Sequence, residues 1–189
     1  MRWQQLFGDL QAQFEAEEAA IEQAESASRA RAEVGALELA DRLRGALGFP
    51  LALGCGSAGT VAGVLVEVGV DWLLVEGDGA RQSLVALAAV RSVSGLGRRT
   101  AAPETAGQVR GRLDLRRALR GLARDRTAVH IVLDDGGVLS GTLDRVGADY
   151  VELAEHPVDL PRRSEAVQGV RAVVISGIAV VRTVTSGLD

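Results

Sequence analysis

Apolar residues recur at helical spacing in the first quarter of this chain, and beyond about residue 51 they alternate. Trp3, Leu6, Phe7, Leu10, Phe14 and Ile21 fall on one stripe at three- and four-residue steps, the signature of an amphipathic helix. Residues 1 to about 47 therefore read as helix, continuous or with one break. Leu37 to Leu47 is the piece that belongs to the first set of strands, and Gly48 and Pro50 end it. The segment from Glu15 to Glu33 is acidic and alanine-rich with few apolar anchors, so it is solvated or paired with another chain. Period-two alternation predicts strands near 51–55, 59–67, 71–77, 81–87 and 90–94. Arg98 to Gly107, with Pro103 and small residues, reads as a linker. A helix over 109–124 then leads into strands near 128–134, 137–145, 149–154, 169–176 and 178–184. Asp134-Asp135-Gly136-Gly137 is a hairpin signal, because Asp-Gly and Gly-Gly tolerate positive φ.

The two strand sets are copies of one another. The run from Gly59 to Trp72 lines up without a gap on Gly137 to Tyr150, at a constant offset of 78. Upstream, Leu37-Glu38-Leu39 and Leu43-Arg44-Gly45 answer Leu113-Asp114-Leu115 and Leu119-Arg120-Gly121. Downstream, Val90-Arg91-Ser92-Val93 answers Val181-Arg182-Thr183-Val184, at an offset of 91. That difference places an insertion of 13 residues (91 − 78) in the second copy, including His156, Pro157, Pro161, Arg162 and Arg163, expected to be an exposed loop. A repeat of this kind sets the architecture. The expected plan is an N-terminal amphipathic helix over 1–35, a first unit with its helix over 36–97, a linker over 98–108 and a second unit over 109–189. Gly63 and Gly141 fall in mid-strand, where a small closed sheet must bend, and Gly69 and Gly147 suit the turn after that strand.

A helix followed by five short, strongly bent strands is the plan of an Sm-like barrel. The stretch from Val129 to Leu143, with alternating apolar residues, an acidic-Gly hairpin and Gly141-Thr142-Leu143, resembles the first Sm motif. Each copy also resembles the Sm-like C-terminal domain of the bacterial ribosome maturation factor P, in its Gly-x-Leu-x-x-Val-Gly-x-Asp rhythm. The whole chain is similar to an uncharacterised bacterial family whose members are sometimes labelled transcriptional regulators. The resemblance implies an α+β, mainly β chain: a long N-terminal helix, then two tandem Sm-like or SH3-like small barrels, each preceded by a helix. It also implies barrels that join edge to edge, so that a few chains could assemble a pseudo-symmetric ring. RNA-binding Sm proteins read a base with an Asn in the turn after the Gly-x-Leu strand. This chain has Val146-Gly147-Ala148-Asp149-Tyr150 there and no Asn anywhere, so that pocket does not carry over.

Composition narrows the picture without naming an activity. Of 189 residues 47% are apolar, but aromatics number only six (two Trp, one Tyr, three Phe), so the core rests on Val, Leu, Ala and Ile. Cys55 is the only thiol, which excludes an internal disulfide and fits a reducing cytoplasm. As a buried strand residue it is no candidate nucleophile. No segment has the 18 or more apolar residues of a membrane span, so no membrane partner and a cytoplasmic location are expected. The net charge of −4 argues for no nucleic-acid partner by itself, but its distribution is uneven. Residues 1–47 carry nine acids and five arginines. Residues 97–126 carry nine arginines against Glu104, Asp114 and Asp125.

The candidate chemistry follows from that imbalance. Arg112, Arg116, Arg120 and Arg124 recur at i+4 with Arg117 beside them, while Leu115, Ala118, Leu119 and Leu122 share the other face. Like charges at i, i+4 repel by a few tenths of a kcal/mol per pair, so the stripe calls for a counter-charge. Phosphate of RNA or DNA, an acidic protein, and the acidic helix 15–41 of this or a neighbouring chain all fit. The stripe Trp3, Leu6, Phe7, Leu10 and Phe14 either completes the core or docks a partner. Asp71 and Asp149 recur as turn-closing residues, and Trp72 and Tyr150 recur as core or rim aromatics that could instead stack a base. Catalytic, metal and cofactor sites are not expected: no phosphate-binding loop is present, and His130, His156 and Cys55 do not cluster in metal-ligand spacing. Two functions stay open, a non-enzymatic nucleic-acid-associated regulatory module (RNA before DNA), and a protein–protein scaffold or homo-oligomer using the N-terminal helix and the barrel edges.

Overall fold

The computed structural model describes residues 2–97, 99–100, 113–157 and 168–184, apart from the side chains of residues 2–6, 9, 33 and 80. The chain divides into two compact units, Met1–Leu39 and Ala40–Asp189. The first is built on α1 (Arg2–Ala36), a helix of 35 residues, about 52 Å long at 1.5 Å per residue. Its apolar stripe is not a buried face: Phe7, Leu10, Phe14 and Ile21 are all exposed. One break, at Leu37 and Glu38, separates it from α2 (Leu39–Arg44), whose Leu43 is fully buried.

Among the described residues the second unit holds ten strands and a further helix. The strands β1 (Pro50–Gly54), β2 (Thr60–Val68), β3 (Trp72–Glu76), β4 (Gln82–Ala86) and β5 (Ser92–Ser94) come from the first repeat. Helix α3 (Leu115–Arg124) precedes β6 (Ala128–Leu133), β7 (Val138–Val146), β8 (Tyr150–Glu155), β9 (Gly169–Val174) and β10 (Ile178–Thr183). These strands join one antiparallel sheet in the order β5-β1-β2-β3-β4-β10-β6-β7-β8-β9. Each repeat contributes five neighbours in the same relative order, last strand first. The chain is α+β, mainly β, headed by a helix, as its pattern indicated. The strands run as one open sheet rather than as two separate barrels, because β4 of the first repeat spends its free edge on β10 of the second. Val85 pairs with Val180, Leu84 with Val181 and Ser83 with Arg182 across that seam.

Internal equivalences are clear in geometry where the sequence alignment slipped. Trp72 and Tyr150 open β3 and β8 at the offset of 78, but the 3₁₀ turns Leu87–Ala89 and Ile175–Gly177 stand 88 apart. The second copy therefore carries ten extra residues (88 − 78), not 13. The counterpart of Val90-Arg91-Ser92-Val93 is Ile178-Ala179-Val180-Val181. The apolar run from Ala172 to Val181 offers few landmarks, and a Val-Arg coincidence drew the match three residues too far. Only the rim of the inserted segment is described. There His156, expected in an exposed loop, is buried: its Nδ1 donates to the Pro157 carbonyl (2.9 Å), and Nε2 meets the Thr142 hydroxyl (2.8 Å). The linker placed at 98–108 lies almost wholly outside the described residues.

The two copies share one core. Leu43, Leu53, Leu65, Leu73 and Val75 match Leu119, Ile131, Leu143, Val151 and Leu153 by their repeat offsets, and all ten are fully buried. Full burial of so many branched aliphatics, each worth about 1.5–3 kcal/mol, offsets the shortage of aromatics. Glycine appears where the sheet folds over itself. A Cβ at Gly63 would collide with the Glu76 carbonyl, and one at Gly141 with the Ala154 carbonyl. A register shift follows in both copies, between Leu65 and Glu67 and between Leu143 and Arg145, as a bulge that increases strand twist would produce.

This packing sets a contrast between two glycines. Gly141→Ala is expected to lower stability by about 1–3 kcal/mol through the backbone collision. Gly121→Ala, inside α3 with nothing within 4 Å of the added methyl, is expected to raise it by about 0.5–1 kcal/mol. Urea unfolding followed by circular dichroism reads both, and equal signs would contradict the geometry.

Candidate nucleic-acid interface

Helix α3 forms because its sequence satisfies both ends and both faces. Asp114 caps it, accepting the Arg117 N–H on Oδ1 at 2.8 Å. Leu115 and Leu119 are buried, Ala118 and Leu122 pack partly against the core, and the helix lies over β7. Arg116, Arg117, Arg120 and Arg124 occupy the opposite side within about 100° of arc at 3.6 residues per turn. Arg117, Arg120 and Arg124 are exposed. Arg112 of the expected stripe lies outside the described residues, and the helix expected from residue 109 begins at Leu115, with Asp114 as its extended N-cap and Leu113 not helical.

The charge balance of this face is local and incomplete. Arg116 lies 3.8 Å from Asp114, and Arg124 meets Asp125 at 3.1 Å. Such exposed pairs contribute about 0–1 kcal/mol each. Among the described residues Arg117 and Arg120 have no carboxylate within ion-pair distance. Arg116 is held differently from the others: its Nε is shut off from solvent without a hydrogen-bond partner, while the side chain as a whole is 39% exposed. Its stem lies against the protein and its charged end reaches outward.

What fixes the orientation of this face is a contact with the first repeat. The turn between β2 and β3 takes hold of the chain just before α3. Trp72 donates its indole N–H to the Leu113 carbonyl (2.8 Å), and the Val70 N–H donates to the same oxygen (3.2 Å). The Asp71 carboxylate accepts the Leu115 N–H at 2.7 Å. Trp72, read from sequence as a candidate base-stacking residue, is buried and unavailable for that. Asp71 closes its own turn, accepting the Leu87 N–H on its carbonyl (2.8 Å), and also satisfies an N–H that the helix start leaves open. Duplication of Asp71 and Trp72 as Asp149 and Tyr150 signalled a structural role, but no sequence signal said that the role links the repeats. A groove of about 160 Å³ between Trp72, Leu84, Leu122 and Val181 runs along this junction.

The remaining sequence candidates do not converge on chemistry. The side chains of Trp3 and Leu6 lie outside the described part, and Phe7, Leu10 and Phe14 are exposed on α1. His130 pairs across strands with Ser140 (Nδ1 to Oγ 2.8 Å). Cys55 is buried with its Sγ 3.8 Å from the Leu53 carbonyl, and burial pushes its thiol up, against the smaller opposing effect of Arg182 and Arg91. A raised thiol is a poor nucleophile at neutral pH. Among the described residues no group of three or more His, Cys, Asp or Glu side chains stands together as a metal site, and no helix is long and apolar enough to cross a membrane.

Comparison with known protein families finds no matching family model, and comparison with curated proteins finds no similar sequence.

The junction geometry carries its own expectation. Trp72→Phe removes one donor and Asp71→Ala one acceptor, each costing about 1 kcal/mol net for a lost hydrogen bond. Because both grip the start of one helix, their combined effect should fall short of the sum, which a double-mutant cycle in urea measures.

Proposed function

We propose that this chain is a non-enzymatic, nucleic-acid-associated regulatory module of the cytoplasm, built of two Sm-like halves, that grips phosphates through the arginine face of α3. RNA is the preferred class over DNA. The observation that carries the reading is a row of exposed guanidinium groups at Arg117, Arg120 and Arg124, held outward by Leu115 and Leu119, in a chain whose net charge is −4. A planar guanidinium matches phosphate geometry with paired donors. Such a surface positions a backbone and reads little sequence, which agrees with the lack of any Asn in the chain.

A second reading has its own support. The seam between β4 and β10 is strand-edge recognition between two homologous units, so the same chain also suits a scaffold that recruits protein through sheet edges and the exposed stripe of α1.

Fluorescence anisotropy against labelled single-stranded RNA, single-stranded DNA and duplex DNA separates the two. Three or four phosphate contacts, each with a slope of about −0.7, weaken single-strand binding roughly 20- to 50-fold between about 50 and 200 mM salt. The double variant Arg117→Glu/Arg120→Glu is expected to bind at least tenfold more weakly and with a shallower salt slope. Wild-type affinity in that variant, or no binding to any probe at the lower salt, rules out the phosphate reading and leaves the scaffold.

A further inference from the structure

The groove between α3 and the seam is a site that the arginine face does not use. Its floor is buried hydrocarbon: Trp72 is 4% exposed, Leu84 7% and Val181 1%. Leu74 of β3 and Ala118 and Leu122 of α3 form half-buried walls. Polar side chains meet the groove at one end, where Gln82 of β4 and Thr183 of β10 complete the lining. We propose that this groove binds a neutral aromatic alcohol, of which phenol is the simplest. The ring lies among Trp72, Leu84 and Val181, and the hydroxyl meets Gln82 and Thr183.

Size and lining argue for the ring. The groove holds about 160 Å³, and an apolar cavity of about 150 Å³ stays dry and takes up benzene. Small residues on α3 keep that space open. Ala118 lines it, and a Cβ added at the nearby Gly121 would meet nothing within 4 Å. The lining is also particular to this junction. At the repeat offsets Leu74 and Gln82 answer to Glu152 and Val170, so apolar and polar are exchanged at both positions.

The polar end argues for an uncharged hydroxyl. Thr183 Oγ1 donates to the Gln82 carbonyl at 3.5 Å, a long bond that leaves the hydroxyl oxygen able to accept. The Gln82 side-chain amide has no hydrogen-bond partner among the described residues. A ligand hydroxyl donates to one of these groups and accepts from the other. An ionised tip fares worse. Glu76 pairs with Gln82 in register and shares a face of β3 with Trp72 and Leu74 by strand alternation. Arg126 follows the end of α3 and leads into β6, whose Val129 pairs with Thr183. An acid and a base therefore stand at this same end, while Asp125 is held by Arg124 at 3.1 Å. A carboxylate there is repelled by Glu76 and an ammonium by Arg126. Because one wall is α3, an occupant bears directly on the helix that presents Arg117, Arg120 and Arg124.

Methyl-resolved NMR of the full chain tests this, with phenol added to about 10 mM against a Kd of about 1 mM expected for so small a molecule. The methyls of Leu84, Leu122 and Val181 are expected to shift together and saturate, while those of Leu53 in β1 stay in place. Ala118→Leu fills the groove and is expected to abolish the shifts with circular dichroism unchanged. Should that variant not fold, Gln82→Leu, at an exposed position, gives the same answer. It is expected to weaken phenol about tenfold, the loss of one hydrogen bond, and to leave toluene unaffected. Benzoate and benzylamine are expected to bind at least about tenfold more weakly than phenol. The proposal is overturned by phenol shifts that are absent or do not saturate, or by a folded Ala118→Leu that binds like the wild type. Phenol binding untouched by Gln82→Leu, or toluene, benzoate or benzylamine binding as tightly as phenol, overturns it equally. No readout involves nucleic acid, so this proposal and that for the arginine face fail separately.

Discussion

The pairing of β4 with β10 is the constraint on which the rest of this molecule depends. Two five-stranded units side by side would present four strand edges, each with a row of unmade backbone hydrogen bonds. The seam removes two of them, merges both sets of buried aliphatics into one core and brings the second repeat, with its helix α3, against the first. The turn carrying Asp71 and Trp72 then fastens that helix by three hydrogen bonds to Leu113 and Leu115. The direction in which Arg117, Arg120 and Arg124 point follows from that fastening and from the burial of Leu115 and Leu119, and not from any preference of the arginines.

This explains how a row of like charges is tolerated. Repulsion along the helix costs tenths of a kcal/mol per pair, whereas burying Leu119 alone is worth about 1.5–3 kcal/mol. The apolar face decides the orientation and the charged face follows. Asp114 and Asp125, at the two ends of α3, relieve Arg116 and Arg124, and the middle of the row is relieved least. An anionic ligand would therefore meet Arg117 and Arg120 first, at the part of the surface where the protein has provided least of its own compensation.

Much of this architecture was legible because it was written twice. All ten strands fall within a few residues of the positions set by alternation, since they carry apolar residues facing a core and most end in a turn with Gly or Asp. The helix break and the role of Gly63 and Gly141 were likewise local properties. What escaped were facts about partners in space. Trp72 reads the same whether it lines its own unit or holds its neighbour's helix, and in Ala172 to Val181, although Ser176-Gly177 marks the break between strands, nothing marks which valine answers Val93. His156 looked exposed because it precedes a proline in an insertion, but the Thr142 hydroxyl and the Pro157 carbonyl complete its hydrogen bonds inside. The arginine face was visible as a pattern. Whether its charges were already answered required coordinates.

Duplication also makes the molecule its own control. Matched positions can be compared within the same strand order, so a difference in exposure reports the neighbours. Leu65 and Leu143 are equally buried because each faces the core of its own unit. Trp72 and Tyr150 differ because only the first has a helix start seated on it. Thr142 is buried and its counterpart Val64 is exposed, so such differences also occur in mid-sheet, wherever the two copies have different neighbours. What surrounds each copy, and not the repeat itself, decides which of these matched positions water reaches.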